Sequence, residues 1–116
     1  MNRIRLAGLL GSFLLLAAGQ PATGQDHVSC IFGDAPKPTA CVLTDVVEQG
    51  DHRMTFTAAR QRATFVGRRN SGWWSGRLNG KPAMGYEINR GHTAYSSLDL
   101  QNRFEWWSAG SGPLGR

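Results

Sequence analysis

Between residues 28 and 107 apolar and polar side chains alternate, and turn-forming residues interrupt the alternation every few positions. A period of two puts successive side chains on opposite faces of a strand, whereas a helix needs a period of 3.6. Alternating runs cover residues 28–32, 40–47, 53–58, 62–67, 73–78, 83–88, 93–98 and 103–107. Between them stand Gly33 with Pro36 and Pro38, then Gln49-Gly50-Asp51, Asn70-Ser71-Gly72, Asn79-Gly80 and Asn89-Arg90-Gly91. Asn79-Gly80 is the strongest hairpin signal, because a type I′ turn needs two residues that tolerate positive φ. Pro82 follows it without an N–H, so this hairpin is expected either to be an edge pair near its tip or to have a longer loop. Residues 58–62 are rich in helix formers and admit one helical turn. About eight short strands joined by hairpins predict an all-β fold, a small antiparallel barrel or sandwich.

The N-terminus follows another pattern. Arg3 and Arg5 precede an apolar run over residues 6–19, and the small residues Ala22 and Gly24 come after it. A bilayer span needs about 20 apolar residues. The layout is instead that of a secretory signal peptide, residues 1–24, with no stable membrane anchor once it is cleaved. This predicts a periplasmic or secreted protein made of one domain, residues 25–107, and a flexible tail rich in Gly and Ser, residues 108–116. Cys30 and Cys41 are the two cysteines of the chain. In an exported domain such a pair predicts a disulfide. Closing so short a loop is worth about 3 kcal/mol in the chain-entropy model.

Charge excludes one class of partner. Without Arg3 and Arg5 the chain carries 11 Lys and Arg against 8 Asp and Glu, a net +3. That is too little for the basic stripe of a nucleic-acid binder. Enzymatic motifs are also missing. Gly-x-Ser-x-Gly, His-x-His, His-x-x-His and Cys-x-x-Cys do not occur, and no cofactor or metal is called for. Asp26-His27 and Asp51-His52 place a carboxylate beside an imidazole, but neighbours on a strand point apart. The expectation is a protein that is not an enzyme, with a small hydrolase as an alternative.

Tryptophan carries the functional information. Trp73-Trp74 and Trp106-Trp107 each set one ring inward and one outward. Alternation turns Trp74, Gly76 and Leu78 one way and Trp73, Ser75 and Arg77 the other; Phe104 and Trp106 oppose Glu105 and Trp107. Outward rings beside Arg or Glu suit a contact surface, since Trp, Tyr and Arg dominate interface energetics. The candidate binding residues are Trp73, Arg77, Glu105, Trp107 and Tyr95, with Trp73 and Trp107 expected on one shared face. A flat ring also fits the apolar face of a sugar, so the expected partner is a cell-envelope glycan or a protein.

The stretch GYEINRGHTAYSSLDLQNRFEWWSAG resembles the small periplasmic lysozyme-inhibitor type of β-barrel. The resemblance lies in Tyr86, Gly91, Trp106, Trp107 and Gly110, which match the family's closing hairpin. It implies a barrel that inhibits a cell-wall hydrolase. The chain departs from the family at the inhibitory loop, where Ala94-Tyr95-Ser96-Ser97 replaces the Ser/Gly-rich element, and in the placing of its cysteines.

Overall fold

The structure is a computed structural model that describes residues 22–112. Eight strands follow one another: β1 (Ala22–Phe32), β2 (Thr39–Glu48), β3 (Asp51–Thr57), β4 (Arg62–Asn70), β5 (Trp73–Leu78), β6 (Lys81–Asn89), β7 (His92–Ser97) and β8 (Arg103–Trp107). Each pairs antiparallel with the next, and β1 pairs with β8, so the sheet closes into an up-and-down barrel. Of the two architectures expected, the barrel is the one formed. Residues 1–21 of the expected leader lie outside the described residues, and the end of that leader, from Ala22, begins β1.

Local chemistry explains the hairpins. Asn79 and Gly80 have φ of 50° and 85° and form a two-residue loop between Leu78 and Lys81, the type I′ geometry whose twist matches the flanking strands. Pro82 raises no conflict. The ladder from β6 to β7 starts at Ala83↔Ser97, so the tip of β6 outruns β7 and behaves as a local edge. The Pro82 carbonyl still accepts a bond from Leu98 N at 2.9 Å. The helical turn allowed over residues 58–62 is not formed. Residues 58–61 make a tight connection closed by Ala58 N to Gln61 O at 3.0 Å, because β3 and β4 are already in register at Thr57↔Arg62.

An eight-stranded barrel has an interior just wide enough for side chains to fill. Here the filling is Val28, Cys30, Cys41, Leu43, Met54, Phe56, Ala63, Phe65, Trp74, Leu78, Ala83, Tyr95 and Phe104. These are the alternate positions of their strands, as period-two reading requires. The centre is aromatic: Phe65 stacks on Tyr95 with centroids 4.2 Å apart, and Phe56 meets Phe104 at 4.5 Å. Trp106 packs on Phe56 and donates its indole N–H to the Tyr95 hydroxyl at 3.3 Å, and that hydroxyl donates to Met54 Sδ at 3.6 Å. Burial raises the Tyr95 hydroxyl far above its ordinary pKa, so it stays a neutral donor. Cys30 and Cys41 form a disulfide that ties β1 to β2 inside the wall.

Candidate functional site

The outer wall of β5 and β6 carries the exposed rings. The two-residue turn at Asn79-Gly80 makes Trp73 and Tyr86 direct partners across the pair, and Ser75 and Met84 the next rung. Partners share a face. Once Trp74 turns inward, where it is 6% exposed, Trp73 must turn outward and take Tyr86 and Met84 with it. Trp73 is 52% exposed and Tyr86 46%, with ring centroids 6.3 Å apart and planes inclined by 48°. Beside them lies a groove of about 470 Å³ lined by Gly72, Trp73, Met84, Tyr86, Glu87 and Ser96. Ile88 extends the apolar stripe along β6.

Charge frames this groove. Glu87, next to the register shift between Glu87 and Asn89, meets Arg69 at 3.4 Å. Lys81, at the other end of β6, meets Asp99 at 3.3 Å. Arg77 projects from the same face of β5 as Trp73, one rung beyond Ser75, and donates from Nη1 to Gly80 O at 3.2 Å. A larger hollow of about 550 Å³ on the wall of β1 to β3 is lined by Ala40, Val42, Thr44 and Thr57 among others, with no Trp, Tyr or Phe.

The remaining sequence candidates are dispersed. Trp107 faces outward but is half-buried. It stacks on His92 at 4.2 Å and 15°, and a Cβ on Gly112 would lie 2.5 Å from its own Cβ. The tail covers it there: Ser108 N donates to Gly91 O at 2.8 Å and Ser111 N to Ser108 O at 3.0 Å. Glu105 accepts from His92 Nε2 at 2.9 Å, so it serves the same cluster. Trp73 on β5 and Trp107 on β8 are three strand steps apart in a ring of eight, more than a quarter of the circumference. The single face expected for them is therefore not formed. Tyr95, also a sequence candidate, is a core residue 1% exposed, because it shares the inward phase of Thr93 and Ser97 on β7.

Two features were missed in the sequence. Tyr86 and Met84 follow from counting outward from Asn79-Gly80, since residues equidistant from a two-residue turn are partners. The second is a dyad between hairpin strands. Asp45 on β2 holds His52 Nδ1 at 3.0 Å, and the His52 ring meets Trp74 edge-on at 5.1 Å. Adjacent Asp51 instead pairs with Arg68 at 2.9 Å. The Asp45 contact orients the imidazole as a catalytic carboxylate would. Among the described residues, no serine, threonine or cysteine is hydrogen-bonded to that ring, and no cluster of ligating side chains stands ready for a metal. In comparisons with known proteins, no family model, no curated protein and no solved structure matches the chain.

Proposed function

We propose that the protein is an exported, non-catalytic binding module that holds a cell-envelope glycan on the outer wall of β5 and β6. The observation that carries this reading is the exposed Trp73–Tyr86 pair over its groove. Neither ring is needed by the core, which is already filled by Trp74, Tyr95 and Phe65 from the opposite face. Clustered exposed apolar surface marks an interaction site. Two inclined rings with Met84 of β6 beside them offer a shallow apolar trough for sugar faces, and Glu87 and the Ser96 hydroxyl, which already donates to Ser97 O, supply acceptor oxygens for sugar hydroxyls. The disulfide is compatible with an oxidising compartment.

The test is a titration of intrinsic fluorescence with soluble peptidoglycan fragments. Binding should be lost in Trp73→Ala while the far-ultraviolet circular dichroism stays that of the wild type. Unchanged binding by Trp73→Ala would remove the site from consideration.

A second reading, inhibition of a cell-wall hydrolase, draws on the β7–β8 loop. Leu98 and Leu100 there are 62% and 77% exposed. Leu100 has φ of 62°, rare for a leucine. The loop is held by Asp99 Oδ1, which accepts from Ser97 Oγ at 2.6 Å and from Gln101 N at 2.9 Å. A rigid loop with protruding leucines is preorganised for a protein pocket. Slower clearing of a cell suspension by lysozyme in the presence of the protein supports this reading, and undiminished clearing excludes lysozyme as the target.

A further inference from the structure

We infer that the glycan held at Trp73 and Tyr86 is an extended acidic chain, whose sugars carry carboxylates and one of which is taken by Arg77. The inference rests on the glycan reading above and adds the charge and length of the ligand. Length comes from the strand. Trp73, Ser75 and Arg77 leave the same face of β5 at two-residue steps, opposite Tyr86, Met84 and Pro82. At about 3.3 Å per residue, Trp73 and Arg77 stand about 13 Å apart along the strand. One sugar ring on Trp73 leaves Arg77 out of reach, so a ligand that uses both is a chain running along the strand pair. Ser75 lies exposed between them with a hydroxyl toward the same side.

Charge comes from the ion pairs. The carboxylates flanking this wall are already matched, Glu87 by Arg69 and Asp99 by Lys81. Arg77 has no carboxylate within 4.0 Å among the described residues, and its one hydrogen bond, to Gly80 O, uses one of the five N–H groups of the guanidinium. That bond steadies the side chain and leaves N–H groups open to accept a planar carboxylate. Arg60, Arg62 and Arg90 also form no ion pair, but none of them stands on the strand face that bears Trp73. The wall therefore combines an aromatic trough with one uncompensated cation at its far end. The net +3 of residues 25–116 reinforces attraction of a polyanion.

The experiment uses one sugar in two charge states. Oligogalacturonate and its methyl ester are titrated against the protein by intrinsic fluorescence, at low salt and near 1 M salt. The acid form should bind about fivefold tighter at low salt, the ratio expected of one well-placed exposed ion pair. The ratio should fall to about one at high salt, where such pairs are screened. Arg77→Gln should lose the preference yet keep the binding of the ester, Arg77→Lys should restore part of it, and Trp73→Ala should lose both ligands. Equal affinity for acid and ester in the wild type overturns the acidic assignment and leaves the glycan reading standing. An acid preference that survives Arg77→Gln overturns the role of Arg77. Binding of neither form overturns the glycan reading and this inference with it. Self-association of the free protein that Trp73→Ala abolishes overturns both as well, since a second copy would then occupy the wall.

Discussion

Replacing Gly85 with alanine tests whether the aromatic centre is as tightly filled as described. Gly85 lies on the inward face of β6, directly opposite Trp74 on one side and Tyr95 on the other. A Cβ there would stand 2.4 Å from Tyr95 Cδ1 and 2.7 Å from Cε1. The ring must retreat by about 1 Å to restore ordinary contact. It cannot do so freely, because Phe65 is stacked on it at 4.2 Å and Phe104 lies behind it at 6.3 Å. Overpacking of this kind costs about 1–3 kcal/mol. Displacing the hydroxyl from Trp106 Nε1 adds about 1 kcal/mol or more. The smaller backbone entropy of alanine in the unfolded chain returns roughly 0.5–1 kcal/mol. The net loss is about 2–3 kcal/mol, a fall in melting temperature of roughly 10–20 °C for a domain of this size. Thermal unfolding followed by circular dichroism, with the disulfide intact, measures it. A second arm adds Tyr95→Leu: if the clash is with that ring, the double variant should be at least about 1 kcal/mol more stable than the summed single losses. A Gly85→Ala protein melting within about 2 °C of wild type, or strictly additive losses, would refute the reasoning.

Three further outcomes are expected. Cys41→Ala should cost about 2–5 kcal/mol, and non-reducing peptide mapping should find Cys30 and Cys41 linked; a melting temperature unmoved by reduction contradicts this. Trp74→Ala should cost about 3–5 kcal/mol in urea unfolding whereas Trp73→Ala should cost less than about 1, and similar losses would mean that both rings are structural. The Asp99 carboxyl, held to about 2 by hydrogen bonds from Ser97 and Gln101 N–H, should titrate by NMR far below the ordinary value near 3.9. Because its folded pKa is depressed, the stabilisation it gives the loop is present above about pH 4 and is lost as the pH falls through about 2; a midpoint near 4 would show the bonds absent.

Strand order, the all-β class, the disulfide and the inward phase of Trp74 and Trp106 were legible because period-two alternation and turn chemistry are local properties, whereas the choice of barrel over sandwich rests on the pairing of β1 with β8, which no local pattern encodes. What escaped notice depended on partners distant along the chain. Tyr95 looks like any strand tyrosine until its hydroxyl is found between Met54 and Trp106. Trp107 reads as exposed from alternation alone, but its covering comes from irregular backbone at residues 108–112, which has no period to read. Asp45 and His52 meet only because the Gln49-Gly50 turn sets the register of β2 against β3, while attention falls naturally on the adjacent Asp51. Met84 and Tyr86 invert a habit of reading: the apolar face of β6 is the wet one, and its inward face carries Ala83 and Gly85 to leave room for rings from neighbouring strands.

Closure of the ring sets an order of events during synthesis. β1 is the first of the eight strands to be made, and one of its two sides is satisfied by β8, the last, through rungs running from Ser29↔Trp107 to Phe32↔Phe104. Until residue 107 has emerged, the β1–β2 hairpin shows an unpaired row of backbone groups, and the interior stays open to water on that side. The disulfide shortens this closure only slightly, because it bypasses the residues between Cys30 and Cys41 and leaves all those from Cys41 to Trp106 to be closed. Folding must wait on the longest loop closure the domain contains, and such non-local pairings are slow and expose strand edges to other chains. Incomplete chains ending before β8 should therefore be the aggregating species of this protein, while in the finished barrel β8 covers β1 from Ser29 to Phe32.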